Sequence, residues 1–358
     1  MGLISIFKVF SSHEISDLKE ELRDLTLPDI YYYPEFLRLC DYAGEGEGFY
    51  AVYNDSESFW IYPFMRRSIR TALDFDIGNI SGFDIFSPYG YSGPVNIRGT
   101  NKSTYKNFRS KIEEYFSNNH IVSEFIRFHP LINNDICEMD DDVKETGKIV
   151  YFDLKRTHQE LEKDLSSSTK RNLKKAERND LKIFFDFELS TMEEFIDIYN
   201  KTMDRVGASE NYYFPKEYYQ YLKQKLNKNT FIANIKKETK TIASALFFAT
   251  DKIVQYHLGG SLSEYLKYRP NDFMFYKIAL WAKEQKYKFF NLGGGVGGKV
   301  DSLFRFKKSF SKETAKFYTG RKIIDNKIYN ELKGKWISEN NVNKKTNFDF
   351  FPIYRKRF

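Results

Sequence analysis

The chain has 358 residues, which is long for one ordinary domain of ~150 residues and favours two. Its net charge of +7 is compatible with acidic substrates, RNA or an anionic membrane surface, but it is too small for a dedicated nucleic-acid binder. The two cysteines, Cys40 and Cys137, have neither metal-site nor redox spacing. Because no stretch reaches the ~20 apolar residues of a membrane-spanning helix, and the first ten residues do not resemble a signal peptide, we expect a soluble, cytoplasmic protein.

Hydrophobic spacing in the first half predicts alternating helices and strands. A glycine- and proline-rich loop runs from Phe83 to Pro94, after a short strand. The predicted elements are a strand at 4–10, a helix at 14–25, a helix after Pro34, a hairpin of 49–53 and 59–65, a helix at 104–117 and a strand at 123–130.

The second half repeats this pattern after an acidic, polar boundary at 140–147. The predicted elements are strands at 149–154 and 181–187, helices at 191–205 and 215–226, a hairpin of 230–235 and 242–249, a strand at 252–260, a helix at 271–286 and a strand at 289–292. Both halves therefore read as mixed sheets flanked by helices, although no residue-level repeat relates them. The apolar terminal segment 350–358 is expected to add a further strand.

A basic helix is predicted from Ser166 to Asn179, with a hydroxyl cap at its start. Its cations stand four residues apart, as Lys170 with Lys174 and Arg171 with Lys175, so they form columns on the helix surface. Such a stripe suits phosphate or RNA, and an ordinary solvated face explains it about equally well.

Two strand ends in the second half have features of anion sites. After the strand that ends at Gly260, Arg269-Pro270-Asn271-Asp272 opens a helix, and free N–H groups at such a start can hold an anion such as a diphosphate. Asn271 or Asp272 is equally an ordinary helix cap, since the sequence has no P-loop signature.

The second strand end is Asn291-Leu292 followed by glycines 293–295, and then Phe306-Lys307. Glycines let a substrate approach the backbone closely, and a flexible hairpin is the alternative. Lys307 is placed to neutralise an oxyanion or a phosphate, and a plain surface lysine is the alternative there.

Several segments resemble the Fem family of non-ribosomal aminoacyl transferases, which build peptidoglycan cross-bridges. In the first half the resemblance extends to family relatives found with surface-glycan genes. Segments 34–36, 87–94, 127–130, 171–179, 202–208, 212–214, 256–261, 291–294 and 305–310 carry it. One departure is Asn291-Leu292-Gly293-Gly294, where the family pattern has Asp-Phe-x-Gly, so an expected acidic group is missing.

The resemblance implies an α/β protein with mixed sheets, built as two tandem GNAT-like domains with a cleft between them. The first domain would comprise residues 1–148, completed by 318–358, and the second residues 149–317. The family forms no covalent intermediate and uses no metal and no tightly bound cofactor. It takes acyl-CoA or aminoacyl-tRNA as co-substrate.

The resemblance also implies roles for particular residues. Phe306 and Lys307 would be the catalytic pair near the donor channel, while Arg205, Tyr256, Tyr212 and Arg127 would recognise the acceptor. Apart from the resemblance, the basic helix and the helix start at 269–272 make Lys170, Arg171 and Asn271 candidate donor contacts. Asp84, beside the glycine-rich loop, is a candidate proton acceptor.

The function predicted from these observations is transfer of an activated acyl or aminoacyl group to an amine of an envelope-glycan or peptidoglycan precursor. That precursor would be nucleotide- or lipid-linked, and a lipid-linked one is compatible with peripheral contact with the inner membrane face. The alternative is a non-catalytic basic protein that binds RNA or a membrane surface.

Overall fold

The computed structural model describes residues 5–71, 73–99, 102–132, 134–137, 140, 142–341 and 349–357. Ile4 of the first predicted strand and Phe358 of the terminal segment lie outside the described residues. The chain divides into two compact units. The first unit contains Met1–Leu27, Tyr31–Thr146 and Phe317–Phe358, and the second contains Pro28–Ile30 and Gly147–Lys316.

The strands, in chain order, are β1 (Ile6–Ser11), β2 (Glu47–Asn54), β3 (Phe59–Ser68), β4 (Phe83–Phe86), β5 (Val95–Asn96), β6 (Ile121–Arg127), β7 (Val143–Asp153), β8 (Lys182–Asp186), β9 (Thr230–Lys237), β10 (Lys240–Ala249), β11 (Ile253–Ser261), β12 (Phe289–Gly293) and β13 (Thr314–Ile323). The helices are α1 (Ile15–Glu21), α2 (Pro34–Tyr42), α3 (Lys102–Asn118), α4 (Asn134–Cys137), α5 (His158–Asp164), α6 (Ser167–Arg178), α7 (Met192–Val206), α8 (Lys216–Lys225), α9 (Pro270–Glu284), α10 (Ser302–Lys308) and α11 (Asn326–Glu339).

The two units use the same series of strand pairings. In the first unit β1, β2, β3 and β4 pair antiparallel in turn, β4 pairs parallel with β6, and β6 pairs antiparallel with β13. In the second unit β8, β9, β10 and β11 pair antiparallel in turn, β11 pairs parallel with β12, and β12 pairs antiparallel with β7. In each unit a helix, α3 or α9, lies on the connection between the two parallel strands. The fold is therefore a mixed α/β structure made of two units with the same order of strand pairing, as the resemblance implied.

Aromatic side chains fill the core of each unit. In the first unit Trp60 stacks on Phe108 at 5.7 Å between ring centroids, and in the second Phe152 stacks on Phe290 at 5.8 Å. These rings are buried, and each buries a large apolar area that favours folding.

The terminal segment is not a strand, contrary to the expectation from its apolar sequence. Ile353–Arg355 form a single 3₁₀ turn, and Phe351 and Tyr354 pack on Tyr329 of α11 with ring centroids 5.8 and 5.3 Å apart. Pro352 has no N–H to give a sheet, and the aromatic contacts with α11 bury the segment instead. Among the described residues, no helix is both long enough and apolar enough to cross a membrane.

Candidate active site in the second unit

Lys307 lies on the short helix α10 and is 7% exposed. The helix begins because the Asp301 side chain accepts a hydrogen bond from the Phe304 N–H at 2.8 Å, which caps it. The same carboxylate accepts a bond from the Val296 N–H at 2.9 Å and so ties the glycine loop to the helix. Lys307 Nζ donates to the Gly294 carbonyl at 2.8 Å. A buried ammonium group is thereby held at the end of β12.

Burial lowers the pKa of Lys307 to about 8, because an ammonium ion loses hydration inside the protein. The charge of Asp301 opposes this shift only in part. An ammonium group has three N–H donors, and the bond to Gly294 uses one of them. The remaining donors make this side chain suited to an oxyanion.

The glycine loop that follows β12 packs closely against other backbone segments of the chain. A Cβ on Gly295 would lie 2.1 Å from the Lys299 carbonyl oxygen, and one on Gly147 would lie 2.3 Å from that of Gly298. Gly293 also has φ +78°, in the left-handed region. Packing of the loop on its own backbone therefore accounts for glycine at these positions without a ligand.

β11 and β12 pair over a short distance and then separate. Their register runs from Ile253 opposite Phe289 to Gln255 opposite Asn291, while β11 continues to Ser261 along β10. Tyr256 is the first residue after the last pair. After Gln255, β11 therefore keeps β10 as a partner strand but no longer pairs with β12.

An aromatic group connects Tyr256 with the catalytic candidate Phe306. Phe275 of α9 lies 4.9 Å from the Tyr256 ring and 5.8 Å from the Phe306 ring, between centroids. Burial raises the pKa of Tyr256 to about 12, so its hydroxyl remains protonated at neutral pH. A Cβ on Gly259 would lie 2.6 Å from that hydroxyl, so glycine is needed there to leave room for it.

Ser261, at the end of β11, brings together two more predicted residues. Arg205 of α7 donates to the Ser261 carbonyl at 2.6 Å, and the Ser261 hydroxyl donates to Asn271 Oδ1 at 2.7 Å. Tyr212 follows α7 in an exposed 3₁₀ turn, and its carbonyl accepts a 2.8 Å bond from Tyr199. Arg205 and Asn271 thus share one neighbour, and Tyr212 lies near the same end of α7.

The basic helix α6 begins next to the end of α10. Ser166 caps α6 as predicted, by accepting a 3.1 Å bond from the Thr169 N–H. The Thr169 hydroxyl donates to the Ser309 carbonyl at 3.1 Å. Lys170 and Arg171 directly follow Thr169 in α6 and so lie close to this contact with the end of α10.

The cations of α6 lie on its outer surface. Arg171, Lys174, Lys175 and Arg178 are exposed and Lys170 is partly exposed, whereas Thr169, Leu173 and Ala176 face the core. None of the ion pairs between described residues involves these five cations. The helix therefore presents an uncompensated positive surface.

The start of α9 already holds a carboxylate of the chain. Asp272 lies in the first turn, is 6% exposed and accepts a 2.8 Å bond from Asn172 of α6. Burial raises the pKa of Asp272, and the bond from Asn172 and the charge of Arg269 oppose this shift. Pro270 at the first helical position has no N–H. Both features make this helix start less suitable for a second anion.

Two predicted site residues, Asp84 and Arg127, lie in the first unit. Asp84 is 2% exposed and accepts bonds from Ser123 at 2.7 Å, Tyr354 at 2.5 Å and Arg355 at 2.5 Å. Arg127 donates to the carbonyls of Ser87 and Pro88 and so holds the glycine-rich loop. Three side chains therefore donate hydrogen bonds to the buried Asp84 carboxylate, as in a structural contact.

Asp301 and Asn172 are two residues of this site that were not predicted from the sequence. The signal for Asp301 was present, since aspartate directly before an apolar-basic run is a common helix cap. The partner of Asn172 is 100 positions away in the sequence, and local patterns do not reveal such a pair. Among the described residues, no group of three or more His, Cys, Asp or Glu side chains is arranged to hold a metal ion.

Comparison with known proteins agrees with this architecture. Residues 212–320 match the model of the FemAB family. The crystal structure of FemX is similar, with a TM-score of 0.65 at 10% identity over 91% of this chain and 99% of that one. A conserved protein of unknown function from Bacteroides thetaiotaomicron has a TM-score of 0.55 at 10% identity, over 89% and 99% of the two chains. No curated protein sequence matches the chain.

Residues 212–320 are therefore similar to the FemAB family, and the fold of the chain is similar to that of FemX. The family match supports, in general, a transferase of acyl or aminoacyl groups.

Proposed function

We propose that this protein transfers an activated aminoacyl or acyl group to an amine of a bacterial envelope-glycan or peptidoglycan precursor. The observation that carries the proposal is Lys307, a buried ammonium group anchored at the end of β12 beside the aromatic group of Phe306, Phe275 and Tyr256. The match of residues 212–320 to the FemAB family supports it. The acceptor class rests on the family resemblance alone.

In the proposed reaction the acceptor nitrogen attacks the carbonyl carbon of an ester or thioester. A new C–N bond forms, the carbonyl oxygen becomes negatively charged, and the C–O or C–S bond of the donor then breaks. Lys307 stabilises the oxyanion with an N–H that Gly294 does not use. The proton lost by the amine ends on the leaving oxygen or sulfur, and holding the reactants together provides much of the acceleration.

Asp84 is not retained as the proton acceptor of this reaction. Ser123, Tyr354 and Arg355 all donate to its carboxylate, which leaves it poorly placed to accept a proton from a substrate. Loss of these bonds would also expose buried donors, at a cost of about 1–3 kcal/mol for each.

Aminoacyl-tRNA is the donor that we propose, rather than acyl-CoA. A diphosphate at the start of α9 would face the buried Asp272 carboxylate and would lack the N–H of residue 270. The exposed cations of α6 form the kind of surface that binds a nucleic-acid backbone. The first turn of α6 also lies next to the end of α10, the helix of Lys307, because the Thr169 hydroxyl donates a hydrogen bond to the Ser309 carbonyl.

The test combines donor binding with a Lys307→Met variant. Charged tRNA should raise the melting temperature of the wild-type protein, because a ligand that binds the native state stabilises it, whereas acetyl-CoA and longer acyl-CoAs should not. Lys307→Met should abolish transfer from charged tRNA while the melting temperature stays near that of wild type.

Lys308→Met is the matched control, since Lys308 is the next residue, is more exposed and donates to the carbonyl of Lys312. It should retain transfer. Full activity of Lys307→Met would remove Lys307 from the mechanism. Stabilisation by CoA esters alone would reverse the choice of donor, and tRNA binding with no transfer from any donor would favour a non-catalytic RNA-binding protein.

A further inference from the structure

The first unit contains a half-buried cation, Arg67, that forms no ion pair with a described residue. Arg67 of β3 lies with its guanidinium 4.6 Å above the centre of the Phe86 ring. It makes neither a hydrogen bond nor an ion pair with any described residue, and its Nε is fully buried. Asp84 is opposite Arg67 in the strand register, but the Asp84 carboxylate is bonded to Ser123, Tyr354 and Arg355.

An unpaired guanidinium in this position destabilises the fold. Burial and the neighbouring Arg355 charge lower the pKa of Arg67 to about 10, while the charges of Asp84 and Glu45 only partly oppose this shift. A buried polar group without a partner is unfavourable unless something else supplies the partner. Proteins commonly keep a destabilising group of this kind where their function needs it.

Glu45, after α2, provides a second buried atom without a hydrogen-bond partner. The Tyr89 backbone N–H and the Cys40 thiol bond to its carboxyl group, yet Oε1 is buried without a partner in the described chain. Burial raises the pKa of Glu45 to about 7, and Arg127 and then Arg67 are the charged groups that oppose the rise.

Arg127 of β6 completes the cluster. Its Nη2 is bound to the carbonyls of Ser87 and Pro88, while its Nε is buried and has no partner among the described residues. Three unpartnered atoms therefore occur on β3, on β6 and after α2, namely Arg67 Nε, Arg127 Nε and Glu45 Oε1. These three atoms are buried, but each of the three residues is partly exposed, so a small solute can reach the exposed atoms of the cluster.

We propose that Glu45, Arg67 and Arg127 form a binding site for a carboxylate or phosphate group. The guanidinium groups pair with the anion, and the Glu45 carboxyl group in its protonated form donates a hydrogen bond to it. The site lies in the first unit and includes Arg127, for which the family resemblance implied acceptor recognition. Its test does not depend on the transferase function proposed for the second unit.

Binding at this site is coupled to one proton. Because a bound anion favours the neutral carboxyl, Glu45 takes up a proton on binding whenever it is ionised beforehand. Affinity should therefore be constant well below pH 7 and fall as the pH rises through about 7, by at most about tenfold for each pH unit. The other groups that face Glu45 are Arg127, Arg67 and the Cys40 thiol, whose pKa burial raises well above its usual value.

Titration calorimetry with sulfate and with acetate tests the proposal, since both probes stay ionised across the range around pH 7. Tighter binding of sulfate would identify a phosphate-type ligand, and tighter binding of acetate would identify a carboxylate. Arg67→Met should weaken binding at least about tenfold and should leave the melting temperature of the free protein equal or higher. Glu45→Gln should still bind, with no dependence on pH.

Arg70→Met is the control, because Arg70 is an exposed arginine just after β3. It should bind both probes like the wild-type protein. Wild-type affinity in Arg67→Met, equal loss in Arg70→Met, or failure of both probes to bind would overturn the site. A clear drop in the melting temperature of Arg67→Met would assign Arg67 a structural role instead. A pH dependence that persists in Glu45→Gln would remove Glu45 from the binding site.

Discussion

At the residue scale, the ionisation of Lys307 should set the alkaline limit of transfer. Burial places its pKa at about 8, and only the ammonium form stabilises an oxyanion. Transfer should therefore fall as the pH rises through about 8, although the acceptor amine becomes more nucleophilic there. Initial rates corrected for spontaneous ester hydrolysis would show this limb, and Lys308→Met should retain it. A rate that keeps rising well beyond this pH would contradict the assignment.

The asparagine that replaces the family's acidic residue has a structural explanation. Asn291 Nδ2 donates to Gln255 Oε1 at 2.8 Å, and Gln255 Nε2 donates to Asp29 Oδ2 at 2.7 Å, all in buried positions. One carboxylate already ends this chain of amides. A second at position 291 would place two acceptors against one amide, whichever way Gln255 turned.

Asn291→Asp should therefore destabilise the protein by about 1–3 kcal/mol, as expected for a buried acceptor left without a donor. The bond from the Gly293 N–H to Oδ1 survives in the variant, so the loss reports on the contact with Gln255. Urea unfolding would measure it. Asn227→Asp, an exposed change of the same charge, should have little effect. Equal stability of the two variants would show that the amide at 291 is not needed.

At the element scale, α6 should carry part of the salt dependence of donor binding. Lys174 and Lys175 are exposed and unpaired within the described chain, so each is free to contact a phosphate. Replacing both with glutamine should lower the slope of log affinity against log salt for charged tRNA by about one unit for each lysine that no longer pairs with a phosphate. Filter binding over a salt series measures the slope. Lys216→Gln, an exposed cation on α8, should leave it unchanged. An unaltered slope in the double variant would exclude α6 from the tRNA surface.

Elements with local signals were predictable from the sequence, and their surroundings were not. The helix at 166–179 is present as α6, capped by Ser166, because caps and apolar spacing are properties of neighbouring residues. The burial of Lys307 depends on α10 packing against the end of β12, which no local pattern encodes. The pairing of Asn172 with Asp272 likewise joins residues 100 positions apart.

At the scale of the whole molecule, hairpins and flanking helices were predictable in both halves, but the shared pairing order needed the structure. In the parallel pairs β4–β6 and β11–β12, a helix separates the two strands in the sequence. The sequence pattern predicts each strand but does not indicate which strand it pairs with. The pairing of β13, a late segment of the chain, with β6 of the first unit is equally non-local.

Asp29 shows how a residue from the amino-terminal part of the chain stabilises the second unit. Its buried carboxylate accepts bonds from Thr250 at 2.9 Å and from Gln255 at 2.7 Å. Asp29→Ala would leave both donors buried without this acceptor, at a cost of about 1–3 kcal/mol for each group. Hydrogen exchange should therefore accelerate at the amides of β11 and β12, while those of β2 and β3 keep their protection.

Asp17→Ala, at an exposed position of α1, should change neither set of amides. Faster exchange in both units of Asp29→Ala would mean that the two units unfold as one cooperative body. Unchanged exchange at β11 and β12 would mean that Thr250 and Gln255 find other partners. Acceleration confined to the second unit is the expected result, because both hydrogen bonds of Asp29 lie within that unit.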